Sequence, residues 1–282
     1  MTVRLRVIHR TGYTYPGGAV ASYNEARMTP VSNTDQDVAH TRLDIAPTPW
    51  TYSYVDYWGT KVTAFELHDR HERLQLIATS LIEVNREHHG ERAGVDWSEL
   101  RSQRILGSGG ELLELTELTD PGPELQAYGA EWAAQAETPR EFVERALSDL
   151  RAQVNYQPGS TGVHTRAAEA WAQRSGVCQD IVHLSLGVLR SAGVPARYVS
   201  GYVLPKRDAA LGEPVLGESH AWLQYWDGEW VPFDPTNGRA PDDFCVEVAR
   251  GRDYRDVTPL RGIFTGVRTS SMFVEVEITR LG

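Results

Sequence analysis

The chain has 282 residues, of which 41% are hydrophobic and 23% charged, with a formal net charge of −10. That is length enough for about two domains with sizeable cores, and no unbroken apolar run approaches the roughly 20 residues that span a bilayer. The acidic balance disfavours nucleic acid and anionic membrane as partners, and the opening Met1-Thr2-Val3-Arg4-Leu5-Arg6-Val7 alternates without an apolar signal run, so the cytoplasm is the expected location.

Residues 1–86 carry strand-like alternation at Thr2–His9, Thr41–Ile45, Lys61–Leu67 and Leu74–Val84. Pro16-Gly17-Gly18, Thr29-Pro30 and Pro47-Thr48-Pro49 interrupt it. Short strands between turn signals predict a β-rich, sandwich-like N-terminal domain. The polar, glycine-rich stretch 87–110 is the expected linker, leaving 111–282 as a second domain. There, Thr138-Pro139-Arg140-Glu141 is a capping box with proline at the first helical position. Phe142, Val143, Ala146, Leu147, Leu150 and Val154 form one helical stripe behind it. A further helix is expected over about Thr165–Arg174, and another from Cys178 to a stop at Gly193 with Pro195 beyond. Strands follow at Ala196–Leu204, in a hairpin around Asp227-Gly228, at Phe244–Ala249 and at Met272–Thr279. Helices first and an antiparallel sheet after them make an α+β domain, with the active site expected between its layers.

The chemistry concentrates where Cys178, His220 and Asp234 follow one another. A cysteine at a helix N-terminus faces unpaired backbone N–H groups and the positive end of the helix dipole, an environment suited to a nucleophilic sulfur. Such a sulfur needs a proton acceptor, and the acceptor an orienting group. His220 and Asp234 lie on the two arms of the hairpin, so the turn decides whether they can meet. A two-residue loop would put them on opposite faces. A three-residue loop, Trp226-Asp227-Gly228, with Gly228 in the left-handed conformation, would set Asp234 directly across from His220. Taken singly, a lone cysteine or strand histidine is more often a packing residue. The ordered set, each member on a suitable element, favours catalysis over packing.

The blocks Gly176-Val177-Cys178-Gln179-Asp180, Gly193–Tyr202 (GVPARYVSGY), Glu218-Ser219-His220-Ala221-Trp222 and Val231-Pro232-Phe233-Asp234-Pro235-Thr236 resemble the transglutaminase-like superfamily, the branch of papain-like thiol enzymes found widely in bacteria. The resemblance spans roughly residues 105–282, and the front of the chain is similar to the β-rich N-terminal region that accompanies this branch. It implies a papain-like catalytic domain with Cys178 as nucleophile, His220 as general base and acid, and Asp234 as orienting carboxylate. The superfamily contains cross-linking transferases, amide hydrolases, peptidases and members without activity, and fold kinship does not choose among them.

The expectation is a cysteine-nucleophile enzyme with a peptide or protein amide as substrate and no cofactor. Hydrolysis is preferred to amine transfer because no segment marks an amine channel. The rival class is a non-catalytic interaction module. A Cys178–Cys245 disulfide is not expected in a chain without an export signal. His68-Asp69-Arg70-His71-Glu72 lacks metal-ligand spacing and His88-His89 falls in the linker, so zinc is not expected either. Asp180 reads as a helix-start acid, and Tyr156 and Trp222 as core aromatics with the cleft as the alternative. Gly251-Arg252-Asp253-Tyr254-Arg255-Asp256-Val257 is typical of the bacterial branch, with no role that the sequence alone supplies.

Overall fold

The computed structural model describes residues 2–86, 94–102, 109–266 and 270–282. The chain opens with five strands: β1 (Val3–Ala26), β2 (Gln36–Ala46), β3 (Trp50–Val55), β4 (Lys61–Leu67) and β5 (His71–Val84). Helices then alternate with two short strands: α1 (Trp97–Leu100), α2 (Gly122–Gln135), α3 (Pro139–Gln153), β6 (Asn155–Tyr156), α4 (Ala167–Gln173), β7 (Ser175–Gly176) and α5 (Cys178–Ser191). The last part returns to strands: β8 (Ala196–Val203), β9 (Pro214–Leu216), β10 (Glu218–Trp226), β11 (Trp230–Phe233), β12 (Cys245–Gly251), β13 (Leu260–Gly266) and β14 (Ser271–Arg280), with the short helix α6 (Tyr254–Val257) before β13.

The strand-rich N-terminal region and the mixed α and β architecture are as expected. The long β1 does not stop at Pro16-Gly17-Gly18 but shifts register between Thr14 and Ala19. Its first half lies in the order β2-β5-β1-β14-β9, and its second half pairs with β13 and β4, with β3 beyond β4. One strand therefore belongs to two leaves. Tyr15, Met28, Phe65, Leu67, Leu74 and Leu76 fill the space between them as a buried cluster.

A boundary near residue 110 does not divide the sheets. Strands β9, β13 and β14, all beyond that boundary, complete the eight-stranded N-terminal sheet, with Thr14 opposite Ser271 and Leu5 opposite Arg280. Nor is the stretch 94–102 a solvated spacer. Val95 and Leu100 are buried, and the Val95 N–H donates to Asp227 Oδ1 at 3.0 Å. Val3, Leu5, Val7, Ile82 and Val84 share one core with the helices and the second sheet. Burial of these apolar side chains couples the two parts, since each contributes a face the other covers.

The second sheet has the order β11-β10-β8-β12 and lies against α5. The stripe on α3 forms as the spacing predicts: Phe142, Val143, Ala146, Leu147 and Leu150 are at most 1% exposed, and Thr138 Oγ1 accepts from the Glu141 N–H at 3.2 Å. Strand β3 and helix α2 have no counterpart among the predicted elements. β3 follows directly on a proline-rich turn and is exposed on both faces, so it lacks the alternation that marks a half-buried strand. α2 buries only Leu125, Gly129 and Trp132, a stripe too sparse to stand out.

Candidate active site

Cys178 is the first residue of α5, half-buried, and packs against the main core. Its position is set by the turn before it. The parallel pairing of β6 with β7 aligns Tyr156 with Gly176, and Asp180 Oδ2 accepts the Val177 N–H at 2.8 Å and the Thr161 hydroxyl at 2.5 Å. Asp180 is 1% exposed, and burial raises its carboxyl above the usual range against those donors. The helix-start reading of Asp180 holds, because its lone pairs close the helix terminus on which the sulfur sits.

The hairpin carries the other two residues. Trp226 pairs with Trp230 and Leu223 with Phe233, so the loop is Asp227-Gly228-Glu229 and Gly228 has φ +86°. The expected odd loop length and left-handed glycine are present, but the loop sits one residue further along than Trp226-Asp227-Gly228. That moves the register by two, and Asp234 is not directly across from His220. The difference lies in Trp226, which stays in the strand, paired with Trp230 and donating its N–H to the Pro195 carbonyl at 2.9 Å. Asp227, a loop residue in either register, has a side chain 2% exposed that accepts from Arg140 Nε at 2.7 Å, Arg140 Nη2 at 2.5 Å and the Val95 N–H, which pins the start of the turn.

The shift preserves the face, because strand side chains repeat every two residues. His220 Nε2 donates to Asp234 Oδ2 at 2.7 Å, leaving Nδ1 for the thiol. Asp234, 4% exposed, also accepts the Thr236 N–H at 3.0 Å and the Asn237 N–H at 3.1 Å on Oδ1, and the Asn237 side-chain amide at 2.6 Å on Oδ2. Burial would raise its carboxyl, yet these donors and His220 bring it below the usual carboxylate range. Burial likewise lowers the His220 imidazole, but the hydrogen bonds to Asp234 and Cys178 and their charges outweigh it and push the ring up to about 10. Cys178, His220 and Asp234 thus form one electrostatic unit.

Trp222 is completely buried and shares the His220 face, with ring centroids 6.3 Å apart. It fits only because Gly201, opposite His220 on β8, has no side chain: a Cβ there would lie 2.4 Å from Trp222 Cη2 and 2.0 Å from the Val246 carbonyl oxygen. Trp222 is a core residue. Tyr156, by contrast, is 51% exposed and feels the charges of Cys178 and Glu218, which puts it at the mouth of the site.

The Gly251–Val257 motif acquires a role that the sequence did not reveal. The Arg190 guanidinium, buried near the C-terminal end of α5, donates to the carbonyls of Ala196 at 2.9 Å, Arg252 at 2.6 Å and Glu114 at 3.1 Å. His183, on the same helix, accepts the Tyr254 N–H on Nε2 at 3.2 Å, and burial together with Arg190 and Arg255 drives its ring down to about 3, so it serves as a neutral acceptor. Arg252 and Asp256 close the loop with an ion pair at 2.9 Å. The motif bolts the back of the cysteine helix to β8 and β12. Asn237 and this clamp are the residues that the sequence reading missed; only the placement of Asn237 three residues after Asp234 hinted at the first.

Both cysteines are free, and Cys245 is buried at the start of β12. Among the described residues no group of three or more His, Cys, Asp or Glu could hold a metal ion. His71 is instead hydrogen-bonded within the N-terminal sheet, to Ser22 Oγ at 3.3 Å and the Asp69 carbonyl at 2.8 Å. His88-His89 lies outside the described residues. No helix among the described residues is long and apolar enough to cross a membrane.

The sequence profile of the transglutaminase-like superfamily matches residues 126–235, and that of the bacterial transglutaminase-like N-terminal region matches residues 5–83. The chain belongs to the transglutaminase-like superfamily. A Mycobacterium leprae protein described as uncharacterized is 45% identical over 99% of both chains, and one from Mycobacterium bovis is 33% identical over 98% of this chain and 93% of its own. A solved structure of a candidate cysteine protease from Cytophaga hutchinsonii superposes with a TM-score of 0.78 at 19% identity, covering 100% of this chain and 92% of that one. The likeness extends over both parts, so the transglutaminase-like domain and its N-terminal sheet recur together in one fold. The superfamily profile ends at 235; beyond it β12 completes the second sheet, and β13 and β14 return to the N-terminal sheet.

Proposed function

We propose that this protein is a thiol-dependent acyl-transfer enzyme acting on a carboxamide or peptide bond, with Cys178 as nucleophile, His220 as general base and acid and Asp234 as orienting carboxylate. The observation that carries the reading is His220 held through Nε2 by the buried Asp234 while coupled to the sulfur at the first position of α5. His220 holds a proton at neutral pH, ready for a leaving nitrogen.

The Cys178 sulfur adds to the carbonyl carbon, and the oxygen takes the negative charge. The Cys178 backbone N–H, at the positive end of a 14-residue helix, is the first donor to that oxyanion. His220 protonates the departing nitrogen as the C–N bond breaks, leaving a thioester. His220 then takes a proton from water, the oxygen attacks the thioester, and the thiol is restored as the acid leaves. Water is the favoured acceptor because Cys178 is partly exposed to solvent.

A second reading, amine transfer, is favoured by one comparison. A Pseudomonas aeruginosa protein-glutamine gamma-glutamyltransferase is 36% identical over 90 residues, 30% of this chain and 14% of that protein. An amine would then replace water at the thioester. The alternative of a non-catalytic module is disfavoured by the buried Asp234 carboxylate that accepts from His220 at 2.7 Å, with that ring in turn coupled to Cys178. Mass spectrometry of glutamine peptides incubated with the protein, with and without a primary amine, tests these readings. Loss of amide nitrogen indicates deamidation, a cut backbone a peptidase, and an amine adduct a transferase; turnover undiminished by Cys178→Ala would end the proposal.

A further inference from the structure

The Asp234 carboxylate sits among four donors, and they are not equivalent. Oδ1 is occupied by two backbone N–H groups, from Thr236 and Asn237, which hold the carboxylate against the turn whatever the side chains are. Oδ2 faces His220 at 2.7 Å, and among the described residues the one other side chain that donates to it is Asn237, whose amide lies at 2.6 Å. The hairpin ladder ends at Leu223 and Phe233, so no strand pairing fixes Asp234 opposite His220. The turn after it supplies the constraint instead, closed by the Gly238 N–H to the Asp234 carbonyl at 2.8 Å.

We propose that Asn237 is a positioning residue for the reaction at Cys178: its side-chain amide fixes the rotation of the Asp234 carboxylate, so that Oδ2 stays aimed at His220 Nε2. The inference rests on the function proposed above. An amide suits the task because it donates without carrying charge. Lysine or arginine there would compete with the imidazolium for the carboxylate, and aspartate would repel it. The Asn237 contact is among the influences that hold the Asp234 carboxyl low. Among the described residues, His220 is in contact with Asp234, the Cys245 thiol feels its charge, Arg239 bridges to its backbone across the turn, and Arg151 donates to the Thr236 carbonyl at 3.3 Å. Without the Asn237 donor a proton binds Asp234 more readily, and a protonated carboxyl no longer supports the imidazolium.

The consequence has a sign. A carboxyl held below its ordinary value acts at all pH values above that ordinary value, and its help is lost as pH falls through the depressed one. Removing Asn237 therefore moves the acid limb of reactivity to higher pH and leaves the plateau largely in place. A merely structural role would lower the rate evenly at all pH values.

The experiment is the rate of Cys178 alkylation by iodoacetamide against pH, followed by peptide mapping, in the wild type, Asn237→Ala and Asn237→Asp, with thermal unfolding of each as the check on folding. Alkylation needs no substrate, so this readout stands apart from turnover: if Cys178→Ala leaves turnover intact the functional reading fails, whatever the alkylation profiles show. For Asn237→Ala the acid limb is expected to rise by about one pH unit, roughly a ten-fold loss of rate on that limb, with the plateau within about two-fold. Asn237→Asp keeps the shape but sets two carboxylates on one proton, and its limb should rise further. Unmoved limbs in the two folded variants would overturn the proposal, whether the rate is unchanged or evenly lowered, and so would a larger shift in Asn237→Ala than in Asn237→Asp.

Discussion

His220 donates to Asp234 at 2.7 Å although the two residues are two positions out of register across their hairpin. Extending the ladder from Leu223 and Phe233 would set Asp234 across from Trp222. The contact survives because the offset is even, which keeps both side chains on one face, and because Asp234 has left the ladder for a turn that returns it toward His220.

That contact predicts unequal consequences for the three residues. Cys178→Ala should abolish turnover in a folded protein, since a small half-buried side chain is removed with little packing lost. Asp234→Asn should leave activity reduced on the order of a hundred- to ten-thousand-fold, as expected of an orienting group rather than the nucleophile. Steady-state rates on whichever amide substrate the peptide panel reveals, alongside circular dichroism, check both.

Cysteine labelling should be strongly selective. Cys245 is 4% exposed, and burial, aided by the nearby Asp242, pushes its thiol up to about 12, so little thiolate exists at neutral pH. Cys178 has the helix terminus, partial exposure and His220 beside it. Iodoacetamide at neutral pH should modify Cys178 first by a wide margin, and equal rates would contradict the assignment.

The pH dependence of stability follows from the same pair. The His220 ring, raised to about 10 from 6.5, contributes stability that is full below 6.5 and lost as pH climbs through about 10. Asp234, lowered from 3.8, contributes stability that is full above 3.8 and lost as pH falls through its depressed value. The denaturant midpoint of the wild type relative to His220→Ala should therefore be highest between about pH 4 and 6.5 and should converge as pH nears 10. Urea titrations at intervals of one pH unit measure it.

Gly228 lies at φ +86° in the hairpin turn, where a β-branched residue is strained. Gly228→Val should cost about 1–2 kcal/mol of stability. Because Arg140 pins the adjacent Asp227, the loop is unable to relax by shifting one residue, and the strain should also reach His220 and Asp234 as a loss of activity. Gly228→Ala should show the same direction with a smaller effect. Equilibrium unfolding and turnover on the two variants test this.

The sequence by itself determined what rests on neighbours in the chain. The α3 stripe from Phe142 to Leu150, the Thr138 cap, the start of α5 at Cys178, the left-handed Gly228 and the odd hairpin loop were all legible, because helix periodicity, capping and turn chemistry act over a few residues. The ordered cysteine, histidine and aspartate were legible as a motif for the same reason. Only the tertiary structure decided the rest. That β14 pairs with β1 across more than 250 residues of chain, that Trp226 is held in the strand by the Pro195 carbonyl so that the register moves by two, that Arg190 and His183 anchor the Gly251–Val257 loop, and that Asn237 shares an oxygen with His220 are contacts between distant or irregular segments. No local pattern encodes them, since their energy comes from burial and hydrogen bonding that exist only once the two sheets have closed around one core.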